Sequence, residues 1–192
     1  MPRKIIAVDL DDTLNDFSAT LRGIDFAPDH ASALSDETFE SYMHRIRSNA
    51  PEPTDLLSTD YSYLRYRVHE QCYRQARARR DAIAFMQWLR HDGWQIVICT
   101  YRDLRRANTC TREWLGINGI PFDHLFMARN KIVFCKLWGI EHLVDDDEFN
   151  IVHGSRYGVK VFYPISERHI AMAPNEATGF TSFEDVTRWI QK

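Results

Sequence analysis

The chain of 192 residues is 44% hydrophobic and 27% charged, with a formal net charge of −3. That length allows one full core plus a sizeable insertion, or two small domains. The mild acidity argues against a protein whose main partner is nucleic acid or an anionic membrane surface, and no apolar stretch approaches the length of a membrane span. The opening MPRKIIAVDLDD lacks the long apolar segment of a secretory leader. Four cysteines (Cys72, Cys99, Cys110, Cys135) are scattered without a CxxC pair. They read as reduced thiols, so the expected compartment is cytoplasmic.

The first predicted element is a strand over residues 4–10, which runs directly into Asp9, Asp11 and Asp12. Residues 16–80 then show no strand run. SDETFESYMHRIRSN (35–49) places Phe39, Tyr42, Met43 and Ile46 at helical spacing, PEPTDLLSTD (51–60) is a loop with two prolines, and YSYLRYRVHEQCYRQARARR (61–80) is a second helix. Further strands are expected at 95–100, 124–127, 142–144 and 159–163. Helices over 81–93, 103–121, 130–139 and 182–191 alternate with them, marked by Asp81, Asp103 and Ser182 at their starts and by Gly93 and Gly139 at their ends. Most of the strands are continuously apolar, the pattern of parallel strands covered on both faces. The alternation predicts an α/β, Rossmann-like, doubly wound parallel sheet of about five strands. Residues 1–15 and 81–192 form its catalytic core, and 16–80 form a helical cap that can cover the strand ends.

The acidic knot is the feature that asks for chemistry. Carboxylates so close together repel one another and are costly to desolvate, so a divalent cation is the expected companion. Strand alternation sends Asp9 and Asp11 to the same side, with Leu10 opposite. A second knot, Asp145-Asp146-Asp147, follows the strand at 142–144; a third strand ends in Thr100, and Lys131 opens the helix before the second knot. In a parallel sheet all of these converge on one edge. Carboxylates there suit Mg²⁺, while a hydroxyl and an ammonium suit phosphate oxygens.

DLDDTL, IVICT, a lysine and LVDDD, in this order and with a helical insertion after the first, resemble the four motifs of the haloacid dehalogenase superfamily of phosphohydrolases. The resemblance spans residues 4 to about 163, and the insertion resembles that family's class I cap. It implies Asp9 as a nucleophile that forms an aspartyl-phosphate and Asp11 as the general acid, then base. It implies Thr100 and Lys131 as further catalytic residues, and Mg²⁺ held by Asp9, the backbone carbonyl of Asp11 and the second knot. Asp146 would be the direct ligand, Asp145 would act through water or Lys131, and Asp147 could cap the next helix. Lys136 competes with Lys131 for the lysine position; five helical residues apart, about 140° of rotation, only one can face the site. Asp12 stands where the family most often has Gly. An acid two residues after the nucleophile favours phosphate transfer over the superfamily's dehalogenases.

The expected activity is therefore Mg²⁺-dependent hydrolysis of a small-molecule phosphomonoester, a nucleotide or sugar phosphate. TREWLGINGIPFDHLFM (111–127) resembles small nucleotidase-like members and the phage-type polynucleotide 3′-phosphatase domain. A phosphotransferase or mutase would share every motif. A polynucleotide 3′-phosphatase could use the arginines of 61–80, although the net charge speaks against a nucleic-acid partner. Arg102, Arg105 and Arg106 read as a solvated helix face, with Arg102 close enough to Thr100 to reach a substrate anion. The five tryptophans read as core.

Overall fold

The computed structural model describes residues 4–25, 36–48, 59–166 and 177–191. The proline-containing loop expected from residue 51 lies outside these as far as residue 58. Six strands form one sheet: β1 (Ile5–Val8), β2 (Gln95–Thr100), β3 (His124–Met127), β4 (His142–Val144), β5 (Lys160–Pro164) and β6 (Thr178–Phe180). All pair in parallel, in the order β3-β2-β1-β4-β5-β6. The sheet thus has one strand more than the expected five. The extra strand, TGF, has no apolar run and exists because β5 offers it a parallel edge.

Helices cover both faces, which explains the near-continuous apolar strands. Ile6, Val8, Ile96, Ile98 and Phe162 point to one face, where they pack on α4 (Arg80–His91), α5 (Leu104–Ile117) and α8 (Phe183–Ile190) through Phe85, Met86, Leu115 and Phe183. Ile5, Ala7, Val97, Cys99 and Leu143 point to the other. They meet Ile132, Phe134 and Cys135 of α6 (Lys131–Trp138) and Ile151 of α7 (Glu148–His153). Each Val, Leu, Ile, Phe or Met among them contributes about 1.5–3 kcal/mol when fully buried. Trp138 departs from the core reading: at the end of α6 it is 51% exposed, its ring resting on Phe134 and His124.

This strand order places a topological switch between β1 and β4. From β1 the chain winds outward to β2 and β3, then returns to the far side of β1 to start β4. The diverging crossovers leave a crevice at the carboxyl ends of these two strands, where α/β sheets bind ligands.

The insertion between β1 and α4 carries α1 (Phe17–Gly23), which the sequence reading lacked, α2 (Asp36–Ser48) and α3 (Thr59–Gln75). Ile24, Tyr42, Met43, Val68 and Cys72 form a small core of their own, and Tyr73 packs with Ala107 and Cys110 of α5. The two connections to the sheet run antiparallel: Asp16 N–H donates to Arg77 O at 3.2 Å and Arg79 N–H to Leu14 O at 2.9 Å. All four cysteines are free and buried, and among the described residues no helix is long and apolar enough to cross a membrane.

Candidate active site

Register fixes the first acids. Val8 lies opposite Val144, and the ladder continues one residue further as Asp9 N–H donates to Val144 O at 2.9 Å. Asp145 N–H likewise donates to Phe162 O at 3.0 Å. Asp9 and Asp145 therefore leave neighbouring strands at the same level of the switch crevice. Asn130 caps α6 by accepting from Val133 N–H, and this sets Lys131 at the first helical position. Its Nζ lies 2.8 Å from Asp9 Oδ1 and 2.9 Å from Asp145 Oδ2. Lys136 faces solvent, so the lysine at the site is Lys131.

Electrostatics shows what this nest lacks. Burial alone would lower the Lys131 pKa, yet Asp9 and Asp145 raise it above its ordinary value. Asp9 is nevertheless pushed up to about 7: burial is the largest cause, and Asp145 and Asp11 add to it against the pull of Lys131. Asp145 is also raised, again chiefly by burial. One ammonium is too little positive charge for these acids.

The second knot divides its work. Asp145 Oδ1 accepts from Asp147 N–H at 2.9 Å, and its Oδ2 accepts from Asn150 Nδ2 at 3.0 Å as well as facing Lys131. Asp146 Oδ1 accepts from Thr13 Oγ1 at 3.1 Å. Asp147 caps α7 by accepting from Phe149 and Asn150 N–H. One ligand oxygen each from Asp9, Asp145 and Asp146 lies within 4.8 Å of the others, all three residues buried. A hard divalent cation fits this all-oxygen, charge-deficient set.

The rest of the first knot is built differently. Asp12 has φ +59°, in the left-handed region where Gly is easiest. Asp tolerates that region better than most residues, and here its carboxylate also accepts from Ser18 N–H and Ser18 Oγ at the start of α1. Asp11 is half-buried and gripped by Arg102, with Nε 2.9 Å from Oδ2 and Nη2 2.6 Å from Oδ1; Asn15 Nδ2 adds a bond to Oδ1 at 3.2 Å. Arg102 is thus no solvated helix residue: it is 2% exposed and committed to Asp11. Thr100 is 1% exposed, and its Oγ1 has no hydrogen-bond partner among the described residues.

Asp9, Asp11, Thr100, Lys131 and Asp146 share one cavity of about 480 Å³, lined on the insertion side by Phe17, Arg65 and His69. Asp145 stands behind Lys131 and does not line it. A second chamber of about 580 Å³ adjoins, sharing Arg65, His69, Tyr73 and Tyr101 with the first; Tyr66, Arg105 and Arg106 line it further on. Sequence reasoning missed Thr13, Asn15 and the Arg102–Tyr73 pair. The one available signal was strand alternation, which points residues 100 and 102 the same way.

By sequence, no protein-family model and no curated protein matches the chain. By structure, the chain is similar to a haloacid dehalogenase-like family hydrolase from Streptococcus pneumoniae (TM-score 0.66, 15% identity, covering 98% of this chain and 99% of that one). It is also similar to the L-2-haloacid dehalogenase from Xanthobacter autotrophicus with chloropropionic acid covalently bound (TM-score 0.59, 12% identity, 98% of both chains). A third similar structure is the HAD-hydrolase YfnB from Bacillus subtilis bound to magnesium (TM-score 0.59, 14% identity, 100% of both chains). The fold is that of the haloacid dehalogenase superfamily.

Proposed function

We propose that the protein is a Mg²⁺-dependent phosphatase that hydrolyses a phosphomonoester through an aspartyl-phosphate at Asp9. The observation that carries this reading is Asp11, an acid held at the lip of the same cavity as the nucleophile. Release of a halide from carbon needs no proton donor, whereas departure of an alcohol from phosphorus does. Thr100 supports it: a buried hydroxyl without a partner is costly, and a phosphate oxygen would supply the missing bond. The similar B. subtilis protein is bound to magnesium; in this chain Asp9, Asp146 and the Asp11 carbonyl would hold the ion, with Asp145 steadying Lys131 behind them. Bound Mg²⁺ would neutralise charge between the carboxylate nucleophile and the phosphate dianion.

In the first half-reaction an Asp9 carboxylate oxygen attacks phosphorus and the bond to the leaving oxygen breaks, while Asp11 donates the proton that makes the product an alcohol. In the second, Asp11 takes a proton from water, the water oxygen attacks the aspartyl-phosphate, and the bond from phosphorus to Asp9 breaks. Lys131 keeps Asp9 oriented and, together with a bound cation, would hold its free carboxylate ionised, and Thr100 donates to the transferring group.

The adjoining chamber favours a nucleotide over a sugar phosphate as substrate. Arg65, Arg105 and Arg106 offer charge to a second anionic group, and Tyr66 and Tyr101 offer rings on which a base can stack. A polynucleotide end bearing a terminal phosphate presents the same chemistry. The test is phosphate release from nucleotides, a 3′-phosphorylated oligonucleotide, sugar phosphates and an aryl phosphate, with Mg²⁺ and with EDTA. Mg²⁺-dependent release that is highest on nucleotide substrates is expected; transfer to an added acceptor without release would identify a phosphotransferase. Four free cysteines agree with a reducing, cytoplasmic location.

A further inference from the structure

Arg102 is held by several groups at once at the site, and the chemistry above leaves it without a task. Its side chain is fully buried, a costly place for a guanidinium unless its donors are satisfied. Nε and Nη2 form a fork on Asp11, Nη1 donates to Thr111 Oγ1 at 3.0 Å, and the cation lies 3.9 Å from the centre of the Tyr73 ring. Three elements meet in this stack: the end of β2, α5 through Thr111, and α3 of the insertion through Tyr73. Phe17 also stacks on Tyr73, with ring centroids 5.3 Å apart. An arginine so fully engaged does not clamp the transferring phosphate.

We propose that Arg102 is a positioning residue that acts on catalysis through Asp11, and that Tyr73 holds it there from the insertion. This rests on the reading of Asp11 as acid and base. A bidentate fork fixes the plane of a carboxylate as well as its place, which a lysine cannot do. The pose of Asp11 is therefore completed only when α3 packs against the sheet edge. The insertion does more than cover the substrate: its Tyr73 sets the geometry of the group that moves the proton.

Two leaving groups and a double-mutant cycle test this. An alkyl phosphate needs its leaving oxygen protonated, whereas a nitrophenyl phosphate leaves as a stable phenolate. Arg102→Gln should therefore lower kcat/KM on the alkyl phosphate by about 10²-fold, the lower range for loss of acid–base catalysis, and on the aryl phosphate far less. In an Asp11→Asn background the same change should cost under about 2-fold, because residues that act as a unit are not additive. Thr111→Val removes one anchor of the guanidinium and leaves its charge in place. It should show the same split in weaker form, so the test survives if Arg102→Gln does not fold. Equal losses on both leaving groups, or losses that multiply in the Asp11→Asn background, would overturn the proposal while leaving the phosphatase reading intact. A wild type inert on both substrates and on the wider panel would overturn the two together.

Discussion

Asp9 and Asp11 stand two residues apart and are held in opposite ways. Asp9 is buried in a nest made wholly by the sheet edge and α6: Lys131 on one side, Asp145 behind, Asp146 across the gap. Asp11 is half-buried and answers to a stack that ends in the insertion, Arg102 then Tyr73 then Phe17. The difference matches the two tasks proposed for them. A nucleophile needs a fixed position and an environment short of positive charge, which draws in a cation. A group that exchanges protons with an alcohol and then with water must face the cavity, and its holding groups can depend on the closing element.

The largest effect expected on this contrast comes from Asp9→Asn. Phosphate release should fall by at least about 10³-fold, because an amide is no nucleophile, while folding is kept or improved as one of several crowded buried acids is neutralised. A kinetic assay beside a thermal melt checks both halves. Lys131→Met comes next. Removing one partner of a buried ion pair costs about 3–5 kcal/mol, so the melting temperature should drop sharply, and the added change Asp145→Asn should recover part of the loss. Full stability in the single variant would break the account of the nest.

Tyr73→Leu probes the other carboxylate. Losing a cation–π contact with a desolvated arginine costs about 2 kcal/mol, and activity on an alkyl phosphate should fall more than stability does. The smallest effect concerns His69, edge-on to Phe17 and Tyr73. Burial chiefly, and Arg65 next, push its pKa down from 6.5 to about 4. The unfolded chain therefore takes up the proton first: the stabilising contribution is full above about pH 6.5 and is lost as pH falls toward 4. His69→Gln should flatten the acid limb of a melting-temperature profile in that window by a few degrees.

The first of these regions was legible in the sequence and the second was not. Apolar runs broken by acids mark strand ends, and a lysine after Asn130 marks a helix start; both signals are local, so Asp9, Thr100, Lys131 and the second knot could be placed together. Lys131 could be separated from Lys136 only by helical rotation, and the structure decides it by burial. Arg102 was misread because an arginine beside Arg105 and Arg106 looks solvated. Its partner Asp11 lies 91 positions away, and no local pattern encodes that pairing. The same holds for β6, three residues whose strand character is supplied by β5. Asp12 was legible as a departure from the resemblance, but its left-handed backbone and its bonds to Ser18 were not.

The most direct test of the central claim is to trap the covalent intermediate. Enzyme mixed with phosphate-labelled substrate and Mg²⁺ is quenched in acid within the first turnovers, digested, and the labelled peptide sequenced by mass spectrometry. Label on Asp9, acid-stable and base-labile as an acyl phosphate should be, and absent from Asp9→Asn, is the expected result. Phosphate release that proceeds with no label on Asp9, or with label on another residue, would contradict it.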